Sequence, residues 1–119
     1  MSRILLIDDD DDVRYLVGRM LCDAGHVDVQ EATNGVQGLL YHRQQPCDLV
    51  ITDTMMPGGD GLDMIRALRL DDANVKIIVM SGARQERLSL ATAYGANRVL
   101  RKPFSREQLL TAVREVLDT

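Results

Sequence analysis

A chain of 119 residues fits one domain, 1–119, and is long enough to bury a core without disulfide staples. Its 45% hydrophobic and 27% charged residues make a globular balance, while three Tyr, one Phe and no Trp exclude stacking platforms for single-stranded nucleic acid. A net charge of −4 excludes a generally basic nucleic-acid footprint, no apolar run approaches the ~20 residues of a membrane span, and the start of the chain has no signal-peptide core. The expected protein is cytoplasmic, with no membrane contact and no direct nucleic acid binding. Cys22 and Cys47 form neither a redox pair nor a zinc cluster and are expected to be buried thiols.

Short β-type runs alternate with amphipathic stretches. Residues 4–7 predict the first strand. Five aspartates follow at 8–12, and an Asp at 10 or 11 can cap a helix with Val13, Leu16, Val17, Met20, Leu21 and Ala24 on one face and Gly25 at its exit. Residues 27–32 are a weaker second strand, and Val36, Leu39 and Leu40 mark a second helix closed before Pro46. Residues 49–52 form the third strand and run into Asp53; Leu62, Ile65, Ala67 and Leu68 mark the third helix. Residues 76–80 run into Ser81-Gly82, and Leu88, Ala91 and Tyr94 mark a fourth helix ended by Gly95. Residues 98–100 lead to Lys102-Pro103, and Ser105 opens a fifth helix bearing Leu109, Leu110, Val113, Val116 and Leu117. Such alternation forces parallel strands with helices on both faces. The expected fold is a doubly wound, flavodoxin-like α/β sandwich of five parallel strands in the order 2-1-3-4-5.

Ligands of such folds bind beyond the carboxyl ends of the strands. There stand the aspartates at 8–12, then Asp53, Ser81 and Lys102. Clustered carboxylates repel one another, and a hard cation such as Mg²⁺ removes that penalty. Lys102 can offer a point charge to a phosphoryl oxygen, Ser81 a hydrogen bond, and Asp53 a nucleophilic oxygen. Each residue also has a plainer reading: the acids as a helix start, Asp53 and Ser81-Gly82 as turn formers, Lys102-Pro103 as a strand exit. An EF-hand is excluded, because Val13 and Arg19 stand where Gly and Glu are required.

The segments ILLIDDD with Val13-Arg14, DLVITDTMMPGGDGLDMIRALR, KIIVMSG and GANRVLRKPF resemble the receiver domain of two-component response regulators across essentially the whole chain. The resemblance implies that Asp53 is the phosphoacceptor for a histidine kinase or phosphotransfer protein, with Mg²⁺ held directly by Asp9, Asp53 and the carbonyl of Met55 and through water by Asp8. It implies that Ser81 is the switch hydroxyl and Lys102 the lysine that pairs with the phosphoryl group. It makes the chain a signalling domain that catalyses only its own phosphorylation and dephosphorylation. Pro57, Gly58, Gly59 and Gly61 suit a loop whose backbone approaches the site. Where the family usually carries Tyr or Phe, three residues before the lysine, this chain has Val99.

Two other readings compete. A haloacid-dehalogenase-like phosphatase would use Asp8 as nucleophile, and a pseudo-receiver would bind partners without phosphorylation. Charge points to a partner surface: residues 1–83 hold 7 basic and 14 acidic side chains, whereas residues 84–106 hold six basic ones against Glu86. The expected output face is the fourth helix, fifth strand and fifth helix, engaging an unknown output protein or domain or a phosphorylation-dependent homodimer. Met1, directly before the first strand, is expected to be a natural start, and the chain to be a stand-alone regulator or a receiver cut from a longer protein.

Overall fold

Continuous apolar runs can only be satisfied by burial on both faces, and the computed structural model, which describes residues 2–56, 59–82 and 85–118, shows that burial. The elements are β1 (Arg3–Ile7), α1 (Asp11–Asp23), β2 (Asp28–Ala32), α2 (Gly35–Gln44), β3 (Leu49–Asp53), α3 (Gly61–Asp71), β4 (Lys76–Ser81), α4 (Gln85–Ala93), β5 (Arg98–Arg101) and α5 (Arg106–Leu117). A short antiparallel pair, Met55–Met56 with Gly59–Asp60, follows β3. The five long strands are all parallel and lie in the order 2-1-3-4-5, as expected from the alternation.

Strand side chains alternate between two cores. Ile4 and Leu6 of β1 pack with Val17 and Leu21 of α1 and Leu109 and Val113 of α5. Leu5 and Ile7 pack in the opposite layer with Ile65 and Leu68 of α3 and Ala91 of α4. The caps follow the sequence: Asp10 accepts the amides of Asp12 and Val13 at the head of α1, and Ser105 with Gln108 closes a capping box on α5.

Two helical faces differ from expectation. In α2, Val36 is 68% exposed and Leu40 50%, while Gly35, Gly38 and His42 are buried. A β-carbon on Gly38 would come within 2.3 Å of the Ile7 Cδ1, so the helix approaches β1 through its glycines rather than its aliphatic stripe. In α1, Leu16 is 56% exposed, although it shares the apolar face of the buried Val17 and Leu21. Only one cysteine meets expectation: Cys47 is buried, with its thiol pushed up to about 11 by that burial, and Cys22 is exposed.

Polar ties lock the edge opposite the strand ends. Arg69 donates to Gly95 O at 3.0 and 2.9 Å and to Asn97 Oδ1 at 2.8 Å, joining α3 to the exit of α4. The buried His42 accepts the Cys47 amide on Nδ1 at 3.0 Å, which places its proton on Nε2, 3.1 Å from Asp72 Oδ2. Asp72 also accepts the amides of Asn74 and Val75; these bonds, the Asn74 amide foremost, hold its carboxyl below the usual range. A lowered folded pKa means that Asp72 contributes fully above about pH 4 and loses its contribution as pH falls through the lowered value. His42→Ala is expected to cost about 2–3 kcal/mol in urea unfolding at pH 7, by leaving the Cys47 amide and a cavity unfilled. A loss under about 0.5 kcal/mol would show that the tie carries no stability.

Candidate functional site

The sheet register assembles the site. Ile7 lies beside Thr52, Asp53 beside Met80, and Ser81 beside Arg101, so Asp8, Asp53, Ser81 and Lys102 reach one edge. Lys102 Nζ donates to Asp53 Oδ2 at 2.7 Å and to Asp8 Oδ2 at 3.3 Å. Its backbone amide donates to Ser81 O at 2.9 Å, which ties the lysine to the end of β4. The Lys102–Pro103 peptide is cis.

The two carboxylates and the lysine are electrostatically coupled. Asp8 is 1% exposed, and burial raises its carboxyl above the usual range, with the charge of Asp53 adding to the rise against the opposing pull of the Asp10 amide and Lys102. Burial works against the Lys102 ammonium, but the hydrogen bonds and charges of Asp53 and Asp8 outweigh it and raise the lysine above its ordinary value.

The five consecutive aspartates separate into distinct roles. Asp8 turns inward and accepts the Asp10 amide at 2.9 Å; Asp10 caps α1; Asp11 pairs with Arg14. Asp9 and Asp12 are exposed. Arg14 also donates to Asp8 O at 2.6 Å and to Glu31 at 3.2 Å, holding the acidic turn in place. The exposed Leu16 lines an apolar groove with Val13, Met20, Pro103 and Phe104 that ends at Lys102.

Among the described residues no group of three or more His, Cys, Asp or Glu side chains is set to hold a metal ion. Asp8 and Asp53 nevertheless share one ammonium, and a pair of carboxylates is what Mg²⁺ requires when water and phosphate oxygens complete its shell. The raised carboxyl of the buried Asp8 fits a position that a cation relieves. Met55 stands two residues past Asp53 in the short hairpin, paired with Asp60. Pro57, Gly58, Ala83 and Arg84, which figured in the loop and surface expectations, lie outside the described residues.

Three features escaped sequence reasoning. Thr54, 0% exposed, places its Oγ1 2.8 Å from the Oγ of Ser81, itself 0% exposed. Arg87 of α4 turns inward and donates from Nη2 to Thr54 O at 3.0 Å, so it is not part of a solvated basic face. Other members of the basic segment are paired within the domain: Arg98 with Glu115 at 2.9 Å and Arg101 with Gln85 at 2.9 Å. Val99 is partly buried against the core under α3 and α4, as is Tyr94, whose ring lies 5.0 Å from the Arg66 guanidinium carbon.

A parallel five-stranded α/β sheet with paired acids, a hydroxyl and a lysine at its carboxyl edge defines a receiver-type domain. Residues 4–114 match the response regulator receiver domain, and the chain belongs to that family. It is 32% identical over 117 residues to the chemotaxis protein CheY of Bacillus subtilis, covering 98% of both chains. It is 36% identical over 121 residues to the DNA-binding dual master transcriptional regulator RpaA of Synechocystis, covering 98% of this chain but only 49%, about half, of that protein. The structure of Vibrio cholerae CheY4 superposes with a TM-score of 0.90 at 29% identity, covering 98% of each chain.

Proposed function

We propose that this domain accepts a phosphoryl group on Asp53 from the phosphohistidine of a histidine kinase or phosphotransfer protein, in the presence of Mg²⁺. The observation that carries this reading is the convergence of Asp53 and Asp8 on the Lys102 ammonium, at 2.7 and 3.3 Å. Asp53 retains 8% exposure, whereas Asp8 has 1%, so Asp53 is the carboxylate open to an incoming donor. One oxygen of Asp53 forms the new O–P bond as the N–P bond of the donor breaks, and the bond pair leaves on the imidazole nitrogen. Lys102 is placed to compensate charge on the transferred group, which is the main demand of this reaction. Asp8 and Asp53, with Asp9 and the Met55 carbonyl at the mouth, would hold Mg²⁺, which supplies further charge neutralisation to the phosphoryl oxygens.

Phosphorylation adds charge and acceptor oxygens beside Ser81, whose reorientation biases α4 and β5. An output protein or domain, or a second copy of this chain, would read that change on the face of α4, β5 and α5. The family and the absence of a membrane-length apolar helix among the described residues support a cytoplasmic setting.

Incubation with acetyl phosphate and Mg²⁺ is expected to add one phosphoryl group, mapped to Asp53 by mass spectrometry, and Asp53→Asn or chelation is expected to abolish it. A group mapped to Asp8 would favour the phosphatase-like chemistry, and one on Ser81 would overturn the receiver mechanism. No modification of a folded wild-type chain would favour a pseudo-receiver.

A further inference from the structure

We propose that Thr54 is a positioning residue that holds the Ser81 hydroxyl in the resting state, so that breaking the Thr54–Ser81 pair is the step that couples a phosphoryl group on Asp53 to α4. The inference rests on the phosphoacceptor reading of Asp53 and concerns a residue outside the expected set. Both hydroxyl groups belong to residues with no solvent exposure, and their oxygens lie 2.8 Å apart. Asp53 is the last residue of β3 and lies beside Met80 of β4, so Ser81, the next residue of β4, leaves the sheet on the side opposite Asp53. A Ser81 oxygen held to Thr54 is therefore turned from the side on which Asp53 projects. Whichever hydroxyl donates, the Ser81 oxygen has to leave this contact to approach a phosphoryl group.

The same residue reaches α4. Arg87 Nη2 donates to Thr54 O at 3.0 Å, and the Gly61 amide donates to that carbonyl at 3.3 Å. Thr54 thus touches the hydroxyl on β4 with its side chain and the arginine of α4 with its backbone. When Ser81 departs, the Thr54 hydroxyl is left in a dry environment without this partner, a cost that the resting pair avoids. This gives the domain a two-state element beside α4 that does not depend on a ring at position 99, where a valine stands.

The sign of the effect distinguishes this role from simple structural support. Thr54→Val keeps the shape, removes the pair from the resting state and leaves no hydroxyl stranded in the activated one. In a titration with beryllofluoride and Mg²⁺, Thr54→Val is expected to bind about tenfold tighter than wild type, and Thr54→Ser to restore the wild-type affinity. In the metal-free protein, NMR scalar couplings of Ser81 should report a single side-chain rotamer in wild type and Thr54→Ser, and averaging in Thr54→Val. Should Thr54→Val not fold, Thr54→Ala is read in the same assays with the same expected direction. Unchanged or weaker binding in the hydroxyl-free variant, or a Ser81 rotamer that does not respond, overturns the proposal while leaving the phosphoacceptor reading intact. A folded wild type that binds no beryllofluoride overturns both.

Discussion

Gly61→Ala is expected to lower the melting temperature by about 10 °C and to weaken Mg²⁺ binding together with phosphorylation of Asp53. The β-carbon of an alanine there would lie 2.4 Å from the Asp53 carbonyl oxygen and 2.6 Å from the Thr54 Cα. Both neighbours are backbone, so no rotamer change relieves the contact; either the head of α3 or the end of β3 has to move. Moving β3 displaces the segment that carries Asp53 and Thr54, and it strains the 3.3 Å bond from the Gly61 amide to Thr54 O. Overpacking of this kind costs about 3 kcal/mol, a large share of the roughly 5–15 kcal/mol that holds a domain folded. Gly18→Ala is the matched control, because a β-carbon at that position in α1 meets nothing within 4 Å. It should stabilise the protein by about 0.5–1 kcal/mol through the lower entropy of its unfolded chain and leave the site untouched. Calorimetry and a metal titration on both variants check the pair. Equal melting temperatures for Gly61→Ala and wild type would show that the close approach at the head of α3 is relieved at no cost.

Asp8→Asn should separate stability from function in opposite directions. It is expected to raise the melting temperature at neutral pH by about 4 °C, equivalent to about 1 kcal/mol, while removing most of the affinity for Mg²⁺. Burial raises the Asp8 carboxyl in the folded state, so the folded protein holds that proton more tightly than the unfolded chain does. Stability therefore falls as pH rises from the ordinary carboxylate value of about 4 through the raised one, and the penalty is complete above it. Asparagine removes that penalty, and Lys102 keeps its 2.7 Å bond to Asp53. The gain should be present at pH 7 and vanish below about pH 4, where Asp8 is protonated in both states. A gain that persists in acid would assign it to packing instead of charge. Unaltered Mg²⁺ affinity would remove Asp8 from the proposed metal site.

The alternation of strands with helices, from which the strand order follows as the usual one for five such units, and the edge that carries the chemistry were legible because strand runs and their ends are local in sequence. A strand buried on both faces needs an unbroken apolar run, and the polar residue that ends the run marks where the chain leaves the core. Asp8, Asp53, Ser81 and Lys102 each end or follow such a run, so a parallel sheet brings them to one edge whatever the details of packing. The resemblance in the segments around them then named the family, which the match over residues 4–114 bears out.

Other features arise from pairs of residues far apart in the chain. Which side of α2 is buried depends on how closely it can approach β1, and Gly38 against Ile7 decides that, leaving the aliphatic Val36 and Leu40 outside. A periodicity argument ranks residues by hydrophobicity and has no term for the closeness that a missing β-carbon permits. Nothing in the sequence singled out Thr54, and Arg87 counted only as one of the basic residues of segment 84–106. Their roles exist only because β3, β4 and α4 meet at that point. The Thr54–Ser81 contact spans 27 positions and the Arg87–Thr54 contact 33. The sequence by itself determined which chemical groups stand at the edge of the sheet, because strand ends are local. Only the tertiary structure decided which of them touch, because hydrogen bonds depend on ångström distances between segments that the chain order leaves unspecified.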